Sequence, residues 1–518
     1  MVSVIDMTAS NVRFLLNLFA SLCQFAVGMG ISFVLTPYIV RTVSVEAYGF
    51  VGLTNNMVGY ASILTIALNS VAGRFITISW HKKNHEEAAS IMSSVIVTNT
   101  AIAIVLLFIG GVVVHFLEYL IDIPRNLILP VKILFILIVV NFSLSIINAV
   151  YSVSTFITDK LYLSSGLSIV SALLRVGILL GLFYFFPANI VYVGMAALTC
   201  TAVELLVNIW FKKKLVPALK LSVKRFSFPW VKTLFFSGVW NSLANLGCML
   251  LEGCDLLFCN IWLGAYLTGQ LAISKVIQSA VGVFLQKISA LFAPRLTMNY
   301  AVDDIQQLLK ILRVNMKMTG FTASIIYATF VTMGVMFFEL WMPNKDTMIV
   351  YHLSVISLSG LLVSGAMYGL PNVYLITNKI RTNSLIVIGM GIVNLCLVII
   401  LLRFTDYGVY SIACVSVIVK FFSDFLFAPI YAAKCLNLGW RTFYDIMLRY
   451  IVSTVAMTVF FMLLRNYVLD LSVEWSVFIR NCLLLFCLGL CWNSVFLLDV
   501  SDRQRVWNMA KKRICNIG

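Results

Sequence analysis

Residues 72–77 read Ala-Gly-Arg-Phe-Ile-Thr and residues 293–297 read Ala-Pro-Arg-Leu-Thr, which places Arg74 and Arg295 221 residues apart. Two further matches keep nearly the same spacing: Phe-Ile-Thr-Asp-Lys at 156–160 with Leu-Ile-Thr-Asn-Lys at 375–379, and Tyr48-Gly49 with Thr268-Gly269. Three matches in the same order predict a duplicated membrane unit, which is how many secondary transporters are built. Arg74 and Arg295 are therefore predicted to serve gating or packing at equivalent places in the two halves.

The composition is that of a membrane protein, with 61% hydrophobic residues, 11% charged residues and a mean hydropathy of +0.99. A helix needs about 20 apolar residues to cross the hydrocarbon core, where backbone groups must bond within the helix. The sequence predicts an all-α polytopic membrane protein with about 14 spanning helices. They are expected near 14–40, 49–72, 89–116, 131–155, 163–186, 188–211, 233–262, 269–292, 318–341, 351–376, 384–402, 408–432, 449–469 and 475–498.

The distribution of basic residues sets the expected orientation. The net charge is +16, yet few basic residues fall in the segments predicted outside: Arg41, Arg125, Lys132, Lys345, Arg403, Arg465 and Arg480. This positive-inside asymmetry predicts cytoplasmic N- and C-termini and a multi-pass protein of the plasma membrane. The basic balance is thus a topological signal, and nucleic acid is not expected as a partner. The predicted domains are a six-helix lobe at 1–211, a basic cytoplasmic linker facing membrane lipids at 212–232, a second six-helix lobe at 233–432, and two further helices with a basic tail at 433–518.

Several function classes are disfavoured. The short connections carry no nucleotide-binding Gly-rich loop and no Ser/His/Asp set. The 12 cysteines and four histidines show no metal-ligand spacing, so no metal is expected. An ATP-driven pump would need a soluble motor domain. The sequence therefore favours a carrier without enzyme activity, driven by an ion gradient or by the gradient of its substrate.

Eight ionisable residues fall inside predicted spans, where each costs about 2.5–3.5 kcal/mol on insertion scales and is a default candidate for lining a polar cavity. They are Arg175, Glu204, Glu252, Asp255, Lys275, Lys287, Lys420 and Asp424. Arg175 has no acidic residue three or four positions away. Its planar fork suits phosphate oxygens. A structural pair with Glu204 on the next helix is the alternative.

The other charges give further candidates. Lys275 shares a helix face with Gln278, and the two could bind a sugar phosphate. Glu252 and Asp255 share a face, and two adjacent carboxylates could couple transport to H⁺ or Na⁺. They could instead pair with Lys275 or with another helix.

Two acidic residues lie at equivalent depths in the two halves, because Glu204 and Asp424 are 220 residues apart. Lys420 and Asp424 can satisfy each other at i and i + 4. Glu204, Asp424 and Lys420 are therefore assigned to gating or packing.

Asparagines in apolar helices form a second theme: Asn55, Asn56, Asn69, Asn141, Asn241, Asn245 and Asn394. Asparagine can join membrane helices through hydrogen bonds or can meet sugar hydroxyls, and both roles stay open here. Asn55, Asn241 and Asn245 are the candidates for substrate contact, because the repeat-related helices that carry them would line a central cleft.

The chain resembles the polysaccharide transporters that include O-antigen and capsule repeat-unit flippases. The resemblance rests on Leu-Thr-Pro-Tyr-Ile-Val at 35–40, Glu-Ala-Tyr-Gly at 46–49 and the motif at 72–77. These transporters share a superfamily with lipid II flippases and MATE multidrug exporters. The resemblance implies two pseudo-symmetric six-helix lobes plus two C-terminal helices.

The function implied by the resemblance is outward transport of undecaprenyl-pyrophosphate-linked oligosaccharides across the bacterial inner membrane by alternating access, for surface polysaccharide synthesis. It also implies a polysaccharide polymerase and a chain-length regulator as partners, and cation coupling through the second lobe. The rival interpretations are a cation-coupled multidrug exporter of the MATE type and a non-transporting scaffold for glycan assembly enzymes.

Overall fold

A computed structural model describes residues 2–343, 346–377 and 379–497, with side chains from 16 onward except 64, 294 and 301. Within these residues the chain is helical. Thirteen helices are long and apolar enough to cross a membrane, or 14 when the bent second helix is counted as one span. The predicted polytopic all-α fold is thereby confirmed. Two compact units divide between Ala272 and Ile273.

The first unit contains nine helices and the first turns of a tenth. They are α1 (Val2–Thr42), α2 (Val45–His81), α3 (His85–His115), α4 (Leu117–Leu120), α5 (Ile128–Ile157), α6 (Leu161–Phe185), α7 (Val191–Leu215), α8 (Phe228–Cys248), α9 (Asp255–Leu263) and α10 (Ala265–Ala290). Short polar corners separate long apolar runs. Ser44 caps α2 by accepting from the Ala47 amide, and Asn84 caps α3 by accepting from the Glu87 amide.

The basic linker is docked against the first unit. Val216 and Leu219 are fully buried in a core with α2, α3 and α5. Serines of α3 bind the linker backbone: Ser94 Oγ accepts from the Ser227 amide at 2.9 Å, and Ser90 Oγ donates to the Arg225 carbonyl at 3.0 Å. Because α8 then packs on α2, the units divide after the seventh span.

Helix α2 is bent by 62° near Ile63. Ser242 of α8 donates to the Ile63 carbonyl at 2.8 Å, so a backbone group near the bend is satisfied by a side chain. Gly238 allows the close approach, because a Cβ there would clash with the Ala67 carbonyl.

The second unit contains the rest of α10 and ten further helices. They are α11 (Ala293–Ala301), α12 (Ile305–Trp341), α13 (Thr347–Ser359), α14 (Leu361–Ser364), α15 (Pro371–Ile376), α16 (Ile380–Phe404), α17 (Val409–Phe422), α18 (Ala428–Cys435), α19 (Tyr444–Tyr467) and α20 (Trp475–Phe496). The two extra helices α19 and α20 pack on α12 around Met457, Phe461 and Leu485. Fully buried Asn493 of α20 donates to the Phe321 carbonyl at 3.1 Å. The predicted basic tail lies outside the described residues.

The predicted helix at 351–376 is broken into α13, α14 and α15. Tyr450 of α19 is fully buried and donates from its hydroxyl to the Leu361 carbonyl at 2.6 Å. Gly365 makes room for that hydroxyl. The Leu361 carbonyl also accepts from the Gly365 amide at 2.9 Å, so the side chain from a later helix adds a second hydrogen bond to the backbone at the break.

A proline widens the helix formed by α17 and α18. Residues Ser423–Phe427 form a π-helical turn before Pro429, which has no N–H to offer the Phe425 carbonyl four residues earlier. The Tyr444 hydroxyl donates to that carbonyl at 2.8 Å. The hydrogen bond that Pro429 removes is thereby replaced.

Candidate functional site

Arg175 lies in the middle of α6, inside a predicted span. Its side chain is half-buried, and its Nε is buried without a hydrogen-bond partner. No ion pair to Arg175 is found among the described residues. An intramembrane guanidinium left in this state is costly, which marks it as a functional candidate.

The structural pair of Arg175 with Glu204 is not formed. Cys200 of α7 contacts α6 through its thiol, which lies 3.3 Å from the Ser171 carbonyl. Arg175 and Glu204 each follow this contact by four residues, and consecutive α6 and α7 run in opposite directions. At about 1.5 Å per residue the two charges are therefore roughly 12 Å apart along the helix axes.

The surroundings of Arg175 include a sequence motif that carries the family resemblance. Tyr48 of α2 interacts electrostatically with Arg175, and its hydroxyl lies 3.3 Å from Thr36 Oγ1 of α1. Tyr38 packs edge-on against Phe183 near the end of α6, with ring centroids 5.8 Å apart. Tyr48 of the stretch at 46–49 thus belongs to the environment of the guanidinium, while Tyr38 of the stretch at 35–40 contacts α6 two turns further on.

A π-helical turn at Met249–Gly253 joins α8 to α9. Asn56 Nδ2 and the Tyr60 hydroxyl of α2 both donate to the Gly253 carbonyl, at 3.0 and 2.8 Å. Glu252 lies within this turn and buried Asp255 begins α9. Both carboxylates have polar or electrostatic contacts with other residues. The turn therefore places the two predicted ion-coupling residues where the helix is irregular, and Asn56 joins two helices.

Two glycines of the sequence repeat meet in the first unit. Gly49 of α2 and Gly269 of α10 lie so close that a Cβ on Gly49 would be 2.8 Å from the Gly269 nitrogen. A Cβ on Gly269 would clash with the Val45 carbonyl. The starts of α2 and α10 can therefore touch only through glycine backbone.

A buried amide holds α9 to the segment after α4. Asn260 is fully buried, accepts from the Asp122 amide at 2.8 Å and donates to the Asp122 carbonyl at 3.2 Å. Two such hydrogen bonds fix the end of α9 in place.

The remaining candidates are spread over both units. Asn55 and Asn245 are exposed and donate to carbonyls of their own helices at 2.8 Å. Asn241 donates to Ser70 Oγ at 3.4 Å and thus links α8 to α2. Exposed Arg74 and Arg295 lie on α2 and α11.

Candidates in the second unit include Lys275 and Gln278, which are half-buried on α10. Lys275, Lys420 and Asp424 have contacts of their own. Asp424 lies in the π-helical turn of residues 423–427, so its local geometry differs from that of Glu204 in regular α7.

Sequence reasoning did not single out Asn148 and Asn208. Asn148 Nδ2 of α5 donates to Glu204 Oε2 at 3.4 Å, and Asn208 Nδ2 of α7 donates to Asn148 Oδ1 at 2.9 Å. Both are amides in apolar helices, which is the signal that identified the other asparagines. Across the part of the chain with described side chains, no group of three or more His, Cys, Asp or Glu residues could hold a metal ion.

These features define a multi-pass α-helical membrane protein with a MurJ/MATE-like fold. The lipid II flippase MurJ in an inward closed conformation matches with a TM-score of 0.66 and 15% identity, over 93% of this chain and 98% of that structure. An inward-facing multidrug resistance MATE family transporter of the MOP superfamily matches with a TM-score of 0.61 and 13% identity, over 80% and 95%. A MOP superfamily transporter from Pyrococcus furiosus gives 0.62 and 12% identity, over 81% and 95%.

Among curated sequences, the chain is similar to the uncharacterized membrane protein EpsK of Bacillus subtilis strain 168. The two are 28% identical over 423 residues, which cover 82% of this chain and 83% of EpsK. No family model matches the chain.

Proposed function

We propose that this protein is a transporter that flips undecaprenyl-pyrophosphate-linked oligosaccharide repeat units across the bacterial inner membrane for surface polysaccharide synthesis. In this proposal it has no enzyme activity, and both termini are cytoplasmic. A fold like that of a lipid II flippase supports the proposal. The resemblance of the motifs near residues 35–49 and 72–77 to polysaccharide transporters also supports it.

The observation that carries the proposal is Arg175. A guanidinium without an acidic partner among the described residues, inside a spanning helix, favours an anionic substrate. A diphosphate offers oxygens in the geometry that the planar fork binds through two parallel hydrogen bonds. A carrier of cationic drugs would instead favour an acidic site.

In the proposed mechanism Arg175 holds the pyrophosphate while the polyprenyl chain stays in the bilayer. Asn55, Asn241 and Asn245 of the same unit meet sugar hydroxyls. Lys275 and Gln278 of the second unit are proposed separately as cationic and hydrogen-bonding groups for the substrate. The protein alternates between two access states around the bound headgroup. A polysaccharide polymerase and a chain-length regulator would receive the product as partners.

The test starts in the host. Deletion of the gene should cause one completed lipid-linked repeat unit to accumulate, as measured by mass spectrometry of extracted lipids, and should remove the corresponding surface glycan. Complementation with Arg175→Ala should leave both defects in place at normal protein level. Arg175→Lys should restore transport only partly, because a point charge replaces the fork.

Arg403→Gln is the matched control, since it removes an exposed arginine near the end of α16. It should complement fully. An unchanged lipid pool and an intact surface glycan after deletion, in a strain without a second carrier, would overturn the flippase function. Hypersensitivity to cationic drugs in that strain would then favour the MATE-type exporter. Loss of surface glycan without accumulation of lipid-linked intermediates would favour the scaffold.

A further inference from the structure

Glu204 is a membrane-embedded carboxyl group without a cationic partner. It lies within the predicted span Val191–Leu215 and is half-buried. Its hydrogen bond within the described region comes from Asn148 Nδ2 at 3.4 Å, and no basic side chain there forms an ion pair with it. A charged carboxylate at such a place is costly, so it favours a bound positive charge.

A second observation points to the same place. Asn208 is only 3% exposed and donates from Nδ2 to Asn148 Oδ1 at 2.9 Å. Its own Oδ1 is buried and has no donor. A buried polar atom left without a partner destabilises the folded protein. Hydrogen bonds therefore run from Asn208 through Asn148 to Glu204. At the Asn208 end of this chain, the Oδ1 acceptor has no hydrogen-bond donor.

One bound proton would neutralise the Glu204 carboxylate and supply the missing hydrogen-bond donor. Glu204 and Asn208 are at i and i + 4 on α7 and share a helix face. Protonation converts the carboxylate into a neutral carboxyl group with an O–H donor, beside a cluster that lacks a donor. Hard metal cations in proteins take about six or more oxygen ligands. The three side chains offer fewer, because Asn148 is already engaged at both ends of its amide.

The other titratable groups do not supply this charge. The helices packed with α7 are α5 and α6. Titratable side chains on these three helices are Lys132, Tyr151, Tyr162, Arg175, Tyr184, Tyr192, Cys200, Lys212, Lys213 and Lys214. Cys200 interacts electrostatically with Glu204. Arg175 lies about 12 Å along the helix axes from Glu204, and Lys212 follows it by two helical turns.

We propose that Glu204, with Asn148 and Asn208, forms a proton-binding site in the first unit. The carboxylate takes up one proton to become a carboxyl group and returns it as a carboxylate, with no change in oxidation state. Coupling of this proton to movement of an anionic substrate rests on the function proposed above. Proton binding itself does not, so the two can fail separately.

The test is infrared spectroscopy of the purified full-length protein in lipid, over a series of pH values in H₂O and D₂O. The carbonyl stretch of a protonated carboxyl group reports the site directly and needs no substrate. Glu204→Gln keeps the size and the hydrogen bond from Asn148. It should lack a D₂O-sensitive carboxyl band that the wild type shows. The control Glu86→Gln removes an exposed carboxylate at the start of α3 and should keep that band.

Asn208→Leu should keep the band but shift its frequency, because the carboxyl group loses the neighbouring acceptor. Identical spectra of wild type and Glu204→Gln at every pH would overturn the proposal. Loss of the wild-type band when NaCl replaces choline chloride at constant pH would overturn it in favour of a sodium site. If Glu204→Gln is not recovered folded, Glu204→Asp should displace the band, and an undisplaced band would count against Glu204.

Discussion

Replacement of Arg175 by methionine should stabilise the protein while it abolishes transport. Arg175 is half-buried in α6, and its Nε has no partner. Methionine has a similar length and no charge. Replacement of a paired, structural arginine would have the opposite effect, because it would leave the partner unsatisfied. The sign of the stability change therefore separates a binding residue from a structural one.

The magnitude follows from the cost of the charge. An arginine at the centre of a spanning helix costs about 2.5–3.5 kcal/mol on insertion scales. Part of the Arg175 side chain remains accessible, so we expect roughly half of that cost, about 1–2 kcal/mol of stabilisation, in Arg175→Met. The effect should persist at high salt, because a buried group is screened less than a surface pair.

The assay is thermal unfolding of detergent-purified wild type and variant, followed by tryptophan fluorescence, beside lipid analysis of the complemented deletion strain. The expected result is a higher unfolding temperature together with accumulated lipid-linked oligosaccharide. Arg403→Met, at an exposed site, should change neither quantity. A lower unfolding temperature of Arg175→Met would refute the reasoning, because it would mean that Arg175 satisfies a partner in the folded protein.

Three further predictions concern backbone contacts. Gly269→Ala should separate the starts of α2 and α10 and so increase maleimide labelling of a Val45→Cys reporter. The control Gly282→Ala should leave the labelling unchanged, because a Cβ at Gly282 meets only the Tyr368 hydroxyl at 3.6 Å. Tyr450→Phe should lower stability by about 0.5–1.5 kcal/mol, because the Leu361 carbonyl loses one of its two donors and keeps the Gly365 amide. In thermal unfolding Tyr467→Phe, which is 84% exposed, should be neutral, and an equal loss in both would contradict the role of Tyr450. Asn56→Leu and Tyr60→Phe together should lower the free energy of unfolding by more than the sum of the single changes, because either donor alone can satisfy the Gly253 carbonyl. Strictly additive losses would show that the two donors do not substitute for each other.

The number and order of the spanning helices could be predicted because the bilayer sets one length for every apolar run. The breaks could not. At the interruption near Leu361 the backbone accepts a hydrogen bond from the hydroxyl of Tyr450, which is 89 residues later in the chain. The π-helical turn before Asp255 depends on Asn56 and Tyr60 of another helix. Hydropathy records the composition of one segment and contains nothing about the distant donors that make an irregular backbone tolerable.

For the candidate site, the sequence identifies the charged residues but not the contacts between them. Composition identifies Arg175 and Glu204 as intramembrane charges, but the register of two antiparallel helices decides whether they meet. The contact of Cys200 with the Ser171 carbonyl sets that register. The sequence repeat was more informative for the glycines. It relates Gly49 to Gly269 by spacing alone, and the backbones at these two positions are in close contact.

The extra helices α19 and α20 belong to the working structure of the second unit. Tyr450 of α19 donates to the backbone at the break of the α13–α15 span, and Tyr444 replaces the hydrogen bond that Pro429 removes. Without these hydroxyls two irregular segments would each lose a hydrogen bond to their backbone in an apolar environment, where lipid offers no replacement donor. We therefore expect that a chain truncated before residue 444 will not accumulate as a folded protein. A truncated chain that elutes as a single monodisperse species and unfolds near the wild-type temperature would show that α10–α18 satisfy their own backbone.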